Sequence, residues 1–200
     1  MKRLRAKRGV LFEVVLIALA AIGLSLAVQA WAVKPYQIPS ASMEPTLTVG
    51  QRVVVNRIGT HFGEPEIGDI LVFMPPLGAE DGVCGAETPA GEPCSVHVNA
   101  QGEEPFIKRV VAGPGDRLRI LDGRPIVNGV AAQESFARPC REDPHCDFPE
   151  EITIPHGQFF MMGDNRPSSE DSRSWGPIPE EWIIGRAFAT YWPPDRIGTF

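Results

Sequence analysis

Two serines and one lysine are the residues of this chain best suited by type and setting to covalent chemistry. Ser40 and Ser42 stand between Pro39 and Pro45, in Ile38-Pro-Ser-Ala-Ser-Met-Glu-Pro-Thr-Leu47. Proline fixes its own φ and drives the preceding residue towards extended conformations. The stretch therefore predicts a stiff turn ending an extended segment, with no helix to bury the hydroxyls. A serine nucleophile needs such an open presentation, whereas a plain Ser/Pro loop does not.

Lys108 is the candidate partner. Lys2 and Lys7 belong to a basic N-terminus and Lys34 follows an apolar run, so Lys108 is the one lysine of residues 35–200, among twelve arginines. Arginine stays protonated, whereas a desolvated lysine can lose its proton near neutral pH. Strand alternation puts Lys108 on one face with Phe106 and Val110. Apolar neighbours lower an ammonium pKa and make a neutral amine available as general base. A lysine at a strand edge with its head in water is the competing picture. His61, His97, His145 and His156 lie in Gly/Pro- or Cys-flanked turns without an evident orienting acid, and read as surface residues. A Ser/Lys pair is a known variant of the nucleophile-plus-base arrangement.

Several elements must position these groups. The 200 residues, with 20 Gly and 20 Pro, suit one ordinary domain of short strands and many turns. The net charge of -6 gives no support to nucleic-acid binding. The first eight residues carry five of the 19 Lys and Arg, and an apolar stretch runs from Val10 to Val33. About 20 apolar residues span the hydrocarbon core, and the positive charge stays cytoplasmic. This predicts a cytoplasmic segment 1–9, a transmembrane anchor 10–33 and an extracytoplasmic domain 34–200. A cleavable leader is the alternative, since Val28-Gln-Ala30 fits a small-x-small site.

The exported part reads as mostly β, an antiparallel sandwich or partly open barrel. Strands are expected at 51–57, 68–73, 106–111, 118–121, 151–154, 158–162 and 185–192. Asp122-Gly123 and Asn128-Gly129 are hairpin signals. Segments 75–105 and 122–158 read as excursions from the sheet. Cys84, Cys94, Cys140 and Cys146 all fall in the exported part and suggest disulfides, most simply 84–94 and 140–146. Zinc is the alternative, with His97 and His145 nearby, but the spacing matches no structural zinc pattern.

With those blocks assembled, the sequence resembles the bacterial type I (leader) signal peptidases. The likeness rests on the N-terminal anchor, Pro39-Ser-Ala-Ser-Met-Glu-Pro-Thr-Leu47, Gly50-Gln-Arg-Val-Val-Val-Asn56 with Gly68-Asp-Ile-Leu-Val-Phe73, Lys108-Arg-Val-Val-Ala-Gly-Pro-Gly-Asp116 and Gly163-Asp-Asn-Arg-Pro-Ser-Ser-Glu-Asp-Ser-Arg-Ser-Trp-Gly176. It implies Ser42 as nucleophile and Lys108 as general base. It implies an oxyanion hole from the Ser42 backbone N–H and the Ser40 hydroxyl. Ser169 would orient the lysine, and Asp171 and Arg173 would support the site as a charged pair. Tyr36, Ile38, Pro39, Phe106 and Ile107 would line the substrate cleft, where the substrate adds as a strand.

The resemblance further implies a serine endopeptidase with no cofactor or metal. Its partners would be exported preproteins carrying signal peptides, cut after small-x-small sites, and the lipid bilayer. Its place would be the inner (cytoplasmic) membrane, single-pass, with the catalytic domain periplasmic. Pro167, Ala41 and Gln51 depart from the family pattern, and Pro167 bears on the loop that places Ser169. Two other readings stand beside this one. A self-cleaving repressor-type peptidase would carry a DNA-binding domain where this chain has an anchor. An anchored β-domain that only binds partners would tolerate loss of Ser42 or Lys108.

Overall fold

A computed structural model describes residues 12–25, 32–57, 63–140 and 146–200. Residues 12–25 are helical, and Phe12, Leu16, Ile17, Leu19 and Leu24 are exposed. The predicted segment 1–9 and residues 10, 11 and 26–31 of the predicted anchor lie outside the described residues. Among the described residues no helix is long and apolar enough to cross a membrane.

The rest is built of antiparallel strands: β1 (Val33–Gln37), β2 (Arg52–Asn56), β3 (Ile70–Phe73), β4 (Phe106–Ala112), β5 (Arg117–Leu121), β6 (Arg124–Val127), β7 (Val130–Ala131), β8 (Phe148–Thr153), β9 (Gln158–Met162), β10 (Ile178–Pro179), β11 (Ile183–Trp192) and β12 (Gly198–Thr199). The main sheet runs β1-β2-β11-β3-β4-β9-β10, with β12 on β11. Strands 5 to 8 make a second sheet, ordered β7-β6-β5-β8. Segment 122–158, expected as an excursion, thus holds most of a sheet of its own. The two hairpin signals were legible, but the pairing of Leu118 with Ile152 across the intervening chain was not.

Side chains alternate across a strand, and β3 is buried on both faces. Ile70 and Val72 point to one side, packing with Val53, Val55, Met43 and Leu47. Leu71 and Phe73 point to the other, packing with Val110, Phe159, Met161 and Trp175. A third cluster joins the sheets, with Leu118, Ile120 and Ile152 of the small one against Phe160 and Met162 of β9. Each fully buried side chain of this size stabilises the fold by roughly 1.5–3 kcal/mol.

Both predicted hairpins form where expected. Asp122 (φ 51) and Asn128 (φ 52) are left-handed, as are the glycines after them. Two left-handed residues in succession match the twist of the flanking strands. The cysteines pair as Cys84–Cys94 and Cys140–Cys146. The first bridge lies in segment 75–105, whose regular structure is slight: the 3-10 turn Ala79–Asp81 and a bridge between Pro76 and Gln101.

Candidate active site

The nucleophile candidate sits where β1 turns back towards β2. Contrary to the expectation of an extended, open turn, Ala41–Met43 form one turn of 3-10 helix. Ser42 is only 7% exposed. Contacts distant in sequence impose this conformation. Asn165 donates its backbone N–H to the Ser42 carbonyl (2.9 Å) and its side-chain amide to the Ala41 carbonyl (3.0 Å). The Ser40 hydroxyl donates to Ser42 Oγ at 3.3 Å.

Lys108 enters from mid-β4, opposite Leu71 of β3. It is 4% exposed, with Nζ donating to Ser169 Oγ at 3.0 Å and lying 5.6 Å from the Phe106 ring centre. Burial pushes its pKa down to about 8; Asp171 pulls it up, Arg173 pushes it down, and Glu170 and Asp164 pull it up. Desolvation wins, so a useful fraction of the amine is neutral near physiological pH. Ser40, Ser42 and Lys108 line one groove of about 670 Å³. The five residues expected to contact substrate, Tyr36, Ile38, Pro39, Phe106 and Ile107, all line it too.

The loop that places Ser169 is fixed by buried charge. Asp171 caps the short helix Ser172–Trp175, and its carboxylate accepts from Arg173 Nε (2.7 Å) and the Gly163 N–H (3.0 Å). Burial alone would raise the Asp171 pKa, but the Arg173 guanidinium beside it holds it below the usual carboxylate value. Arg173 also donates to the carbonyls of Arg166 (2.7 Å) and Ser169 (3.1 Å). Pro167 lies within the 3-10 turn Arg166–Ser168, whose fixed φ suits it, and Ser169 still reaches the lysine. Gln51 donates to Thr190 Oγ1 (2.5 Å), tying the loop after the nucleophile to β11.

Sequence reasoning assigned no role to Arg109, Asp164, Asn165 or Arg166. Arg109 and the fully buried Asp164 make a two-point pair (2.8 and 2.7 Å), to which Thr46 adds a hydroxyl at 2.5 Å. Arg166 bonds the carbonyls of Gly163 and Gly123 and pairs with Glu134. The available signal was an arginine beside the lysine in an otherwise apolar strand. His97, expected at the surface, is half-buried edge-on against Trp182, and burial lowers its pKa. His156 is exposed; His61 and His145 lie outside the described residues.

Gly163 holds the two halves of the site close together. A Cβ there would overlap both Ser169 Oγ and the Ser42 carbonyl oxygen, and would stand 2.6 Å from Ser169 Cβ. Gly163→Ala is therefore expected to displace the serine and the lysine's partner together. Misplacement by about 1 Å can cost 10²-fold, so a loss of about that size is expected in a peptide-cleavage assay, with circular dichroism showing a retained fold. Unchanged cleavage would mean that this close approach is irrelevant to activity.

The family model for signal peptidase, peptidase S26, matches residues 11–192. The chain belongs to the signal peptidase family. Similar members include a probable signal peptidase I-1 of Synechocystis sp., 36% identical over 91% of this chain and 83% of that one. The signal peptidase I of Leptolyngbya laminosa is 35% identical over 88% and 76%. A probable thylakoidal processing peptidase 2 of Arabidopsis thaliana is 36% identical over 90% of this chain but 44% of its own length. The chain thus spans about half the length of the Arabidopsis members it matches. Among solved structures, a signal peptidase I from Enterococcus faecalis V583 gives a weak likeness, with TM-score 0.39 and 20% identity over 62% of this chain and 97% of that one.

Proposed function

We propose that this member of the signal peptidase family is a membrane-bound serine endopeptidase that removes signal peptides from exported preproteins after small-x-small sites. The observation that carries the reading is a buried lysine, its pKa lowered to about 8, lining the same groove as Ser42. Substrate would add as a strand between the Tyr36–Pro39 segment and the start of β4. Ser42 Oγ attacks the scissile carbonyl carbon and its proton passes to Lys108 Nζ. The resulting oxyanion is held by the Ser42 N–H and the Ser40 hydroxyl, donors that act on charge present only after attack. Lys108 then protonates the leaving amine as the peptide C–N bond breaks. In the second half, water attacks the acyl carbon and gives a proton to Lys108. The ester C–O bond to Ser42 breaks, Lys108 returns the proton to Ser42 Oγ, and the signal peptide leaves as a carboxylic acid.

The apolar groove wall of Ile38, Pro39, Phe106 and Ile107 supports a preference for small side chains next to the cut. The exposed apolar helix 12–25 after a basic N-terminus supports single-pass anchoring in the cytoplasmic membrane, with the β-domain outside. The family's barrel-like closure of the sheet is part of the same reading.

Cleavage of a preprotein by detergent-solubilised full chain tests the proposal. The expected cut follows Ala at the last signal-peptide residue. Changing that Ala to Leu should lower kcat/KM about 100-fold, as a pocket that fits a methyl cannot take four carbons. A chain that binds preproteins without ever cutting them would make it a binding module instead.

A further inference from the structure

A second cavity, of about 550 Å³, adjoins the catalytic groove, and the two share Ser168 and Glu170 as a common wall. On the opposite side one short element, the turn Ala79–Asp81, serves both: Glu80 lines the groove and Asp81 the second cavity. Gly82 lets these walls close up, since a Cβ there would meet Ser174 Cβ at 3.3 Å and Glu170 Oε2 at 3.5 Å.

The chemistry of the peptidase reading, on which this inference rests, sets the direction of the substrate. The base that takes the Ser42 proton returns it to the leaving amine, so the chain after the scissile bond departs on the lysine's side. There stand Ser169, 3.0 Å from Lys108 Nζ, and its neighbours Ser168 and Glu170. Beyond them lies the second cavity. Its cationic lining is already paired: Arg173 with Asp171 (2.7 Å) and Arg166 with Glu134 (2.6 Å). The exposed carboxylates of Asp81 and Glu170 are left to set its sign.

We propose that this cavity receives the first residues of the mature protein, the segment following the cut, and that Asp81 and Glu170 favour basic over acidic side chains there. The apolar groove would then take the signal-peptide side and the polar cavity the mature side. Segment 75–105 would have a task of its own, as the wall that reads the mature sequence.

The test uses full chain in detergent and two preproteins identical through the cleavage site, one with lysines and one with glutamates at the second and third mature residues. Wild type should cut the lysine form about fivefold faster in kcat/KM, the scale of one or two exposed charge pairs. Asp81→Lys should bring that ratio to one or below, and high salt should flatten it. Asp81 is the informative position because it does not line the groove holding Lys108. A ratio of substrates on one enzyme is unmoved by a general loss of activity. Equal cutting of both preproteins by wild type, or a preference that Asp81→Lys leaves intact, would overturn the cavity's role alone. Failure of wild type to cut either would overturn the peptidase reading together with it.

Discussion

Replacing Lys108 by arginine is expected to lower cleavage about 10³-fold, because a guanidinium cannot give up its proton and general-base catalysis contributes 10²–10⁴. Lys108→Met should do the same for a different reason, having the lysine's length without an amine. The methionine variant should also melt no lower than wild type, as it removes an amine whose burial disfavours its charged form. The pH profile gives the sign. With a pKa of about 8, the amine is mostly protonated below that value. In wild type, kcat/KM should therefore climb about tenfold per unit as pH rises towards 8 and level off above it. The residual rate of either variant should lack this limb. A Lys108→Met protein that cuts at wild-type speed would remove the lysine from the mechanism and leave the serine without its base.

Arg173→Ala is expected to destabilise the domain by about 3–5 kcal/mol, the cost of leaving a buried charge without its partner. Asp171, fully buried, would keep only backbone donors, the N–H groups of Gly163 and of residue 173, and the carbonyls of Arg166 and Ser169 would lose their donor. For a domain of this size that corresponds to a fall in Tm on the order of 10 °C. The folded-state pKa of Asp171 is depressed, so its contribution is present above the ordinary carboxylate value and lost as pH falls through the folded one. The gap in Tm between wild type and variant should thus be widest near neutrality and narrow in acid. Arg173→Lys should recover part of the stability, since it restores charge but not the two-point geometry. An alanine variant melting with wild type would show the pair to be energetically idle.

The parts of this structure that could be read in advance were those decided by neighbours in the chain. Asp122-Gly123 and Asn128-Gly129 declared their hairpins because both turn positions need a left-handed backbone. Lys108 stood out because burial of a lysine is costly and residues 35–200 otherwise avoid lysine. The cysteines paired with the partner nearest in sequence. What could not be read depended on residues far apart. The helical turn at Ala41–Met43 is set by Asn165, a contact across 124 positions. Arg109, which looked like one more strand arginine, meets Asp164 across 55. No local pattern distinguishes a buried arginine from a surface one until its carboxylate arrives.

The position of β11 in the sheet carries a consequence for timing. It lies between β2, which follows the nucleophile, and β3, which precedes the lysine's strand. The facing edges of β2 and β3 therefore have no ladder partner until residues 183–192 are in place between them. A chain made only as far as β9 carries Ser42 and Lys108 but not the strand that joins their two sides of the main sheet. Long-range closure of this kind is slow compared with hairpin formation. The main sheet is thus completed by a strand made after both Ser42 and Lys108. A fragment ending before residue 183 would leave the edges of β2 and β3 open to pairing with other chains.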